Sequence, residues 1–140
     1  MEEKLTKKRL RLSCTRQGKN GSHLESAAPN IYTKVRSVVR PAHTNGVYEA
    51  LVDVGGIAKT GNAGRSTMFP ASWTKQFTVD SVNLAFANKG ASPIKSIPGS
   101  DTFRGIANGV EIEMYVSTKP GSTFGKITSA FPAKTPLNGW

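Results

Sequence analysis

Alternating apolar and polar positions predict a pair of strands in the first half of the chain. Residues 34–40 are rich in β-branched side chains with basic residues between them, and residues 47–54 offer a buried face that includes Val47 and Val54. Asn45-Gly46 lies between the two segments, and this dipeptide is a strong signal for a tight hairpin turn. We therefore expect a β-hairpin here.

A repeat of three to four residues predicts one helix over residues 74–88. Val79, Val82 and Phe86 recur at that spacing, and Gly90 can end the helix. This is the best helix signal in the sequence, so we expect one main helix.

The last third of the chain predicts three further strands. They cover residues 103–107, 110–116 and 126–131, and Asn108-Gly109 and Pro120-Gly121 supply the turns between them. In the middle strand, apolar residues occupy every second position without a break, so one of its faces is predicted to lie in the core. The residues of that face are Val110, Ile112, Met114 and Val116.

Together these patterns predict an α+β fold with five or six mostly antiparallel strands and one main helix. A chain of 140 residues fits a single core. We expect residues 1–20, where basic side chains dominate, to form a basic N-terminal arm and residues 21–140 to form the domain.

The charge balance of the chain indicates what kind of partner it binds. Lys and Arg total 19 against 9 Asp and Glu, a formal net charge of +10. Such an excess favours a polyanion, because each phosphate contact releases counterions. Two alternatives remain. The excess basic charge serves only solubility, or the protein has a basic structural role, such as that of a ribosome-associated protein. The single cysteine excludes an internal disulfide and a multi-cysteine zinc site.

The sequence contains few signals for a cellular compartment. No apolar stretch approaches the roughly 20 residues of a spanning helix, so no membrane association is expected. The N-terminus is charged but lacks the apolar block of a secretory signal. We expect any export to depend on a larger parent chain or a dedicated machine.

Common catalytic motifs are absent from the sequence. It has no phosphate-binding P-loop, no dinucleotide fingerprint, no nucleophile elbow and no HExxH helix. Acidic residues are too scarce for the usual metal-assisted nuclease site, so no metal and no cofactor are expected. If RNA is the substrate, the favoured route is attack by the ribose 2′-hydroxyl, which needs a base, an acid and a cation. His23 and His43 are the available histidines, although a lone loop histidine is more often incidental.

The block between the hairpin and the helix is expected to be mainly structural. Phe69 and Trp73 are predicted to pack the helix start against the sheet, and Ser66 and Thr67 are predicted to cap the helix or bind phosphate, with capping preferred.

Two cations lie in the glycine-rich turn before this block. Lys59 and Arg65 lie on a turn flanked by glycines, so their side chains can reach a phosphate; solvated loop charges are an equally good interpretation.

Several segments, in order along most of the chain, resemble the bacterial EndoU nuclease toxins. The most specific is Ser-Thr-Met-Phe-Pro-x-x-Trp, which the family carries between a Gly-rich turn and a helix. The segments are Gly21-Ser-His-Leu-Glu-Ser26, Gly46-Val-Tyr-Glu-Ala50, Lys59-Thr-Gly-Asn-Ala-Gly-Arg-Ser-Thr-Met-Phe-Pro-Ala-Ser-Trp73, Gly109-Val-Glu-Ile-Glu-Met-Tyr115 and Lys126-Ile-Thr-Ser-Ala-Phe-Pro132.

The resemblance implies a metal-independent endoribonuclease that leaves 2′,3′-cyclic phosphate ends. His23 matches one of the two family histidines that act as base and acid, Ser129 matches a hydroxyl that contacts the nucleotide, and Phe131 matches an aromatic residue that stacks on the base. The expected catalytic residues are His23, Lys59 and Ser129, with His43 as a weaker candidate. The expected substrate-binding residues are Phe131, Thr128 and Arg65.

Two departures from the family pattern leave an alternative open. Leu24 stands where the second histidine of the motif is expected, and residues 10–15 contain no histidine where the family usually has its other one. His43 could replace it only if the hairpin turn folds back to the site. The alternative is a degenerate, catalytically inactive RNA-binding module of the same fold.

The resemblance also implies a biological setting. Such domains are the toxic ends of larger secreted or delivered effectors in contact-dependent growth inhibition and act in the target-cell cytoplasm. We expect RNA, with tRNA favoured, as substrate, an acidic cognate immunity protein as partner because the domain is basic, and a monomeric state.

Overall fold

The structure is a computed structural model, and it describes residues 33–54, 57–58 and 64–140. Within these ranges the chain forms two antiparallel sheets and one α-helix, which confirms the predicted α+β class. The strands are β1 (Thr33–Arg40), β2 (Tyr48–Val54), β3 (Ile57–Ala58), β4 (Arg65–Met68), β5 (Lys95–Ile97), β6 (Ser100–Ala107), β7 (Val110–Ser117) and β8 (Ile127–Pro132). The helix α1 is Lys75–Asn88, and a short 3₁₀ helix covers Pro136–Asn138.

The first sheet is built around β2. The predicted hairpin forms, since β1 pairs with one edge of β2, and β3 and β4 pair with the other edge. Gly46 takes a φ of +94° in the turn, and a Cβ there would lie 2.7 Å from Pro70 Cβ. Both the positive φ and the close approach explain why glycine occupies this position.

The second sheet is a meander in the order β5-β6-β7-β8. Asn108 and Gly109 form the tight turn between β6 and β7 with φ values of 50° and 79°, as the Asn-Gly signal predicted. The alternation in β7 also holds, because its predicted core face is buried: Val110, Ile112, Met114 and Val116.

The helix begins one residue later than predicted, and its cap differs from the expectation. Thr74 is the N-cap, and its side chain accepts a hydrogen bond of 3.1 Å from the Phe77 backbone N–H. The prediction that Ser66 and Thr67 cap the helix is wrong, because both residues are buried in β4 and pair with β2. No helix in the described part of the chain is long and apolar enough to cross a membrane.

The main core lies between α1 and the inner face of the second sheet. Val82 and Ala85 of the helix are fully buried there together with Phe69, while Trp73 is partly buried against the same cluster. The prediction that Phe69 and Trp73 pack the helix start is therefore confirmed. Their rings stack with centroids 5.6 Å apart.

The segment after β8 is fastened to both sheets. The buried Asn138 side chain donates to the backbone oxygens of Glu111 and Ala133 at 2.8 and 2.7 Å, and its oxygen accepts from Asn45 Nδ2 at 2.8 Å. Lys134 Nζ lies 3.2 Å from the buried Glu49 carboxylate of β2. These contacts join the β1–β2 turn and β2 to the β7–β8 end of the second sheet, and so fix the sheets relative to each other.

Helix α1 approaches β6 so closely that Gly105 has no room for a side chain. A Cβ at Gly105 would lie 1.9 Å from the Ala85 backbone oxygen. We expect Gly105→Ala to lower the free energy of unfolding by about 1–3 kcal/mol, because the helix must shift away from the sheet. Chemical denaturation measures this loss.

Gly90→Ala is the matched control for this prediction. A Cβ at Gly90 would have no neighbour within 4 Å. We expect that variant to keep parental stability to within about 0.5 kcal/mol. Equal stability of the Gly105 and Gly90 variants would contradict the close packing of the helix on β6.

Candidate functional site

The exposed side of the second sheet brings predicted site residues together. Because alternate residues of β7 fill the core, the others point to the opposite side, and their partners on β6 and β8 point there as well. We call this surface the outer face and define it by five residues. They are Arg104 on β6, Glu113 and Tyr115 on β7, and Ser129 and Phe131 on β8.

Ser129 and Phe131 lie side by side on the outer face. Ser129 is opposite Tyr115 in the β7–β8 register, and Phe131 is opposite Glu113. Both are half-buried, so each presents part of its side chain to solvent. The two side chains therefore share one face of the sheet; what they bind stays a prediction.

The aromatic ring of Phe131 contacts the ring of Tyr115. Their centroids are 5.3 Å apart and their planes meet at 76°, an edge-to-face arrangement. Burial, and then the negative charge of Glu113, raises the pKa of the Tyr115 hydroxyl above 10.0. The phenol therefore remains a neutral hydrogen-bond donor throughout the neutral range.

An ion pair lies next to the aromatic residues. Arg104 donates a hydrogen bond from Nε to Glu113 Oε1 at 3.0 Å, and its Nη2 lies 3.0 Å from the same oxygen as an ion-pair contact. The pair places a cation and an anion on the outer face, and their charges largely offset each other locally. The outer face therefore combines aromatic surface, a hydroxyl group and a carboxylate that is paired with an arginine.

Thr128 lies at an irregularity in the strand pairing. Because Tyr115 is opposite Ser129 and Val116 is opposite Ile127, Thr128 is the extra residue of a bulge. Its hydroxyl donates to the Tyr115 backbone oxygen at 3.3 Å. This bond gives Thr128 a structural role in the described chain, and its contact with substrate stays a prediction.

Arg65 and His43 lie on other elements. Arg65 is exposed at the start of β4, a strand that packs beside β8. His43 is exposed in the β1–β2 turn, where its backbone N–H donates to the Val47 oxygen at 2.8 Å and its ring lies against Gly139. Their roles in substrate binding and catalysis remain predictions.

Two central predictions lie outside the described residues. His23 precedes β1, and Lys59 falls in the gap between β3 and β4. As for metal ligands, no group of three or more His, Cys, Asp and Glu side chains suited to a metal ion occurs in the ranges that the structure describes.

Tyr115 and Arg104 are site residues that were not predicted from the sequence. The position of Tyr115 opposite Ser129 follows from the register between β7 and β8. No local signal could have singled out Tyr115, because single exposed apolar side chains are common on protein surfaces.

Comparisons with known proteins identify a family for this sequence. The sequence profile described as bacterial EndoU nuclease matches residues 5–134. A Bacillus cereus protein named "Toxin" is 41% identical over 90 residues, which are 64% of this chain and 14% of that protein. The chain thus corresponds to a small part of that relative. No solved structure matches the chain significantly.

Proposed function

The chain belongs to the bacterial EndoU nuclease family, and from this membership we propose that it is an endoribonuclease toxin that cleaves RNA by attack of the 2′-hydroxyl, leaving 2′,3′-cyclic phosphate ends. The observation that carries the proposal is the pairing of Ser129 and Phe131 on one partly exposed face beside the Tyr115 ring. A hydroxyl next to an accessible aromatic ring suits a nucleotide, because the ring can stack on a base and the hydroxyl can bond to it.

The proposed reaction needs two proton transfers at one phosphate. A general base removes the proton of the 2′-hydroxyl as its oxygen forms a bond to phosphorus, and a general acid donates a proton to the 5′-oxygen as its bond to phosphorus breaks. We assign one of these roles to His23. We assign to Lys59 the stabilisation of the negative charge that develops on the phosphate oxygens.

The other assignments concern substrate binding. Ser129 contacts the nucleotide next to the cleaved bond, and Phe131 stacks on its base. Arg65, exposed on the strand beside β8, binds a flanking phosphate, and Thr128 supports the site from the bulge. None of these roles requires a metal ion.

A second candidate function follows from the sequence at the histidine motif. Leu24 replaces one expected histidine, and residues 10–15 supply none upstream. A chain that keeps the outer face but lacks one proton-transfer group would bind RNA without cutting it efficiently. Measuring binding and cleavage on the same preparation separates the two candidates.

The proposed biological role is that of an effector module. We propose delivery to a target cell as part of a larger protein, with tRNA in the cytoplasm as substrate. The similarity to a segment of a much longer protein named "Toxin" supports this setting. A formal charge of +10 favours an acidic immunity protein as the inhibitor, because opposite charges speed association and select the partner.

Phe131→Ala is expected to weaken RNA binding by about 1–3 kcal/mol, because it removes the ring that stacks on the base. Ser129→Ala is expected to cost less binding and to change the preference among nucleotides. Fluorescence anisotropy with labelled oligonucleotides of different base composition measures both effects.

The control for this pair is Ile106→Ala. Ile106 of β6 is exposed on the same side of the second sheet as Phe131 and lies opposite Glu111. Truncating its side chain therefore leaves the contact between Tyr115 and Phe131 intact. That variant should bind RNA like the parent. A Phe131 variant that loses thermal stability but keeps its RNA affinity would show that the ring serves the fold only.

A further inference from the structure

Tyr115 occupies a position that the family resemblance did not assign. It is opposite Ser129, its ring contacts Phe131, and it remains 37% exposed. We propose that Tyr115 is a second nucleotide-binding residue, which meets the edge of the base stacked on Phe131 and donates a hydrogen bond to that nucleotide. The inference rests on the proposed function, because it places the substrate on the outer face.

The angle between the rings is the first argument. Planes that meet at 76° form a corner rather than a continuous surface. A base that stacks parallel to the Phe131 ring therefore directs one edge towards Tyr115. Stacking alone tolerates every base, since each base has a π-face, whereas a hydroxyl at the edge can distinguish bases by their hydrogen-bonding groups.

The charges around Tyr115 are compatible with this role. Arg104 holds the Glu113 carboxylate through two contacts of 3.0 Å, which offsets the repulsion between that carboxylate and an RNA phosphate. The Tyr115 hydroxyl is protonated at neutral pH, like that of any tyrosine, and the upward shift of its pKa preserves this form, so it can donate a hydrogen bond.

The bulge in β8 supports the position of Tyr115. Thr128 donates to the Tyr115 backbone oxygen at 3.3 Å, at the point where the register between β7 and β8 shifts. Bulges re-aim side chains and often lie next to functional sites. In this chain the bulge precedes Ser129 directly, so it affects the side-chain directions at one end of the outer face.

A purely structural pair is the competing interpretation. Cross-strand aromatic contacts stabilise antiparallel sheets without any ligand. The two interpretations differ in one respect: a structural pair affects binding of any RNA equally, whereas a base-contacting residue affects binding only when the base is present.

The test uses the full chain and RNA oligonucleotides with a 2′-deoxy substitution at the cleaved position, which removes the nucleophile. One set carries a base at that nucleotide and a matched set is abasic there. Tyr115→Ala should weaken binding of the base-bearing set roughly ten- to hundredfold and leave the abasic set unchanged. Tyr115→Phe keeps the ring and should lose about three- to tenfold through the missing hydrogen bond. Ile106→Ala, on the same face, should match the parent with both sets.

The outcomes separate this inference from the proposed function. Parental binding by the Tyr115→Ala variant, or equal losses with base-bearing and abasic RNA, overturns the role of Tyr115 while the parent still cleaves unmodified RNA. A folded parent that cleaves no RNA but shows the base-dependent loss overturns the nuclease assignment and supports the role of Tyr115. A parent that neither cleaves nor binds overturns both.

Discussion

Raising the salt concentration from about 50 to 200 mM is expected to weaken RNA binding by roughly 10³-fold or more. The reason is the formal net charge of +10, which favours several simultaneous phosphate contacts. A protein that makes about six such contacts loses affinity on this scale, because each contact releases counterions whose release is less favourable at high salt. Fluorescence anisotropy with a labelled tRNA over a salt series measures the slope of log affinity against log salt.

Arginine variants test which cations contribute to that slope. Arg65 lies at the start of β4, which packs beside β8, whereas Arg36 lies on β1, on the other side of β2 from β4. Arg65→Gln should reduce the slope by about 0.7–0.9, the value of one phosphate contact, and Arg36→Gln should reduce it less. An affinity that does not change with salt would rule out an electrostatic nucleic-acid partner.

Replacing His23 by Ala is expected to lower the cleavage rate by roughly 10²–10⁴-fold while RNA binding stays nearly unchanged. Attack by the 2′-hydroxyl needs a group that exchanges a proton near neutral pH, and histidine has the suitable ordinary pKa. Single-turnover cleavage of tRNA, followed by gel electrophoresis, gives the rate. The same substrate with a 2′-deoxy cleavage site gives the affinity.

His43→Ala is the matched control, because His43 is a histidine of the same chain in an exposed turn beside Gly139. We expect it to cleave like the parent. Equal rates for the parent and the His23 variant would show that His23 is not the proton-transfer group. Binding without cleavage by both would favour the inactive RNA-binding module.

Local patterns predicted the larger elements well, because each has a strong signal of its own. The alternation of Val110, Ile112, Met114 and Val116 and the Asn-Gly turns at residues 45–46 and 108–109 correspond to strands and turns in the structure. The short strands β3, β4 and β5 were not predicted from the sequence. These strands have two to four residues, too few to show a period, and they form because a longer neighbour offers an edge to pair with.

The misassigned cap has a similar cause. Ser66 and Thr67 are typical capping residues that precede the helix, but their backbone pairs with β2, a partner distant in the chain. Thr74, next to the first helical residue, caps instead. A local propensity was thus overridden by a tertiary contact.

The candidate site was predictable only in part. Ser129 and Phe131 share a face because of strand geometry, which a sequence determines once the strand is recognised. The neighbours Tyr115 and Arg104 come from two other strands, so their places depend on the register of β6, β7 and β8. Register depends on turn geometry and core packing together, and the bulge at Thr128 changes it by one residue.

The central claim is that the chain cleaves RNA with the substrate's own 2′-hydroxyl as nucleophile. The most direct measurement incubates the purified chain with total tRNA in the presence of a metal chelator and determines the chemistry of the new ends. We predict fragments with 2′,3′-cyclic phosphates and 5′-hydroxyls, and none from the His23→Ala variant on the same time scale. Fragments with 5′-phosphates and 3′-hydroxyls, or intact tRNA after incubation with the folded chain, would contradict the claim.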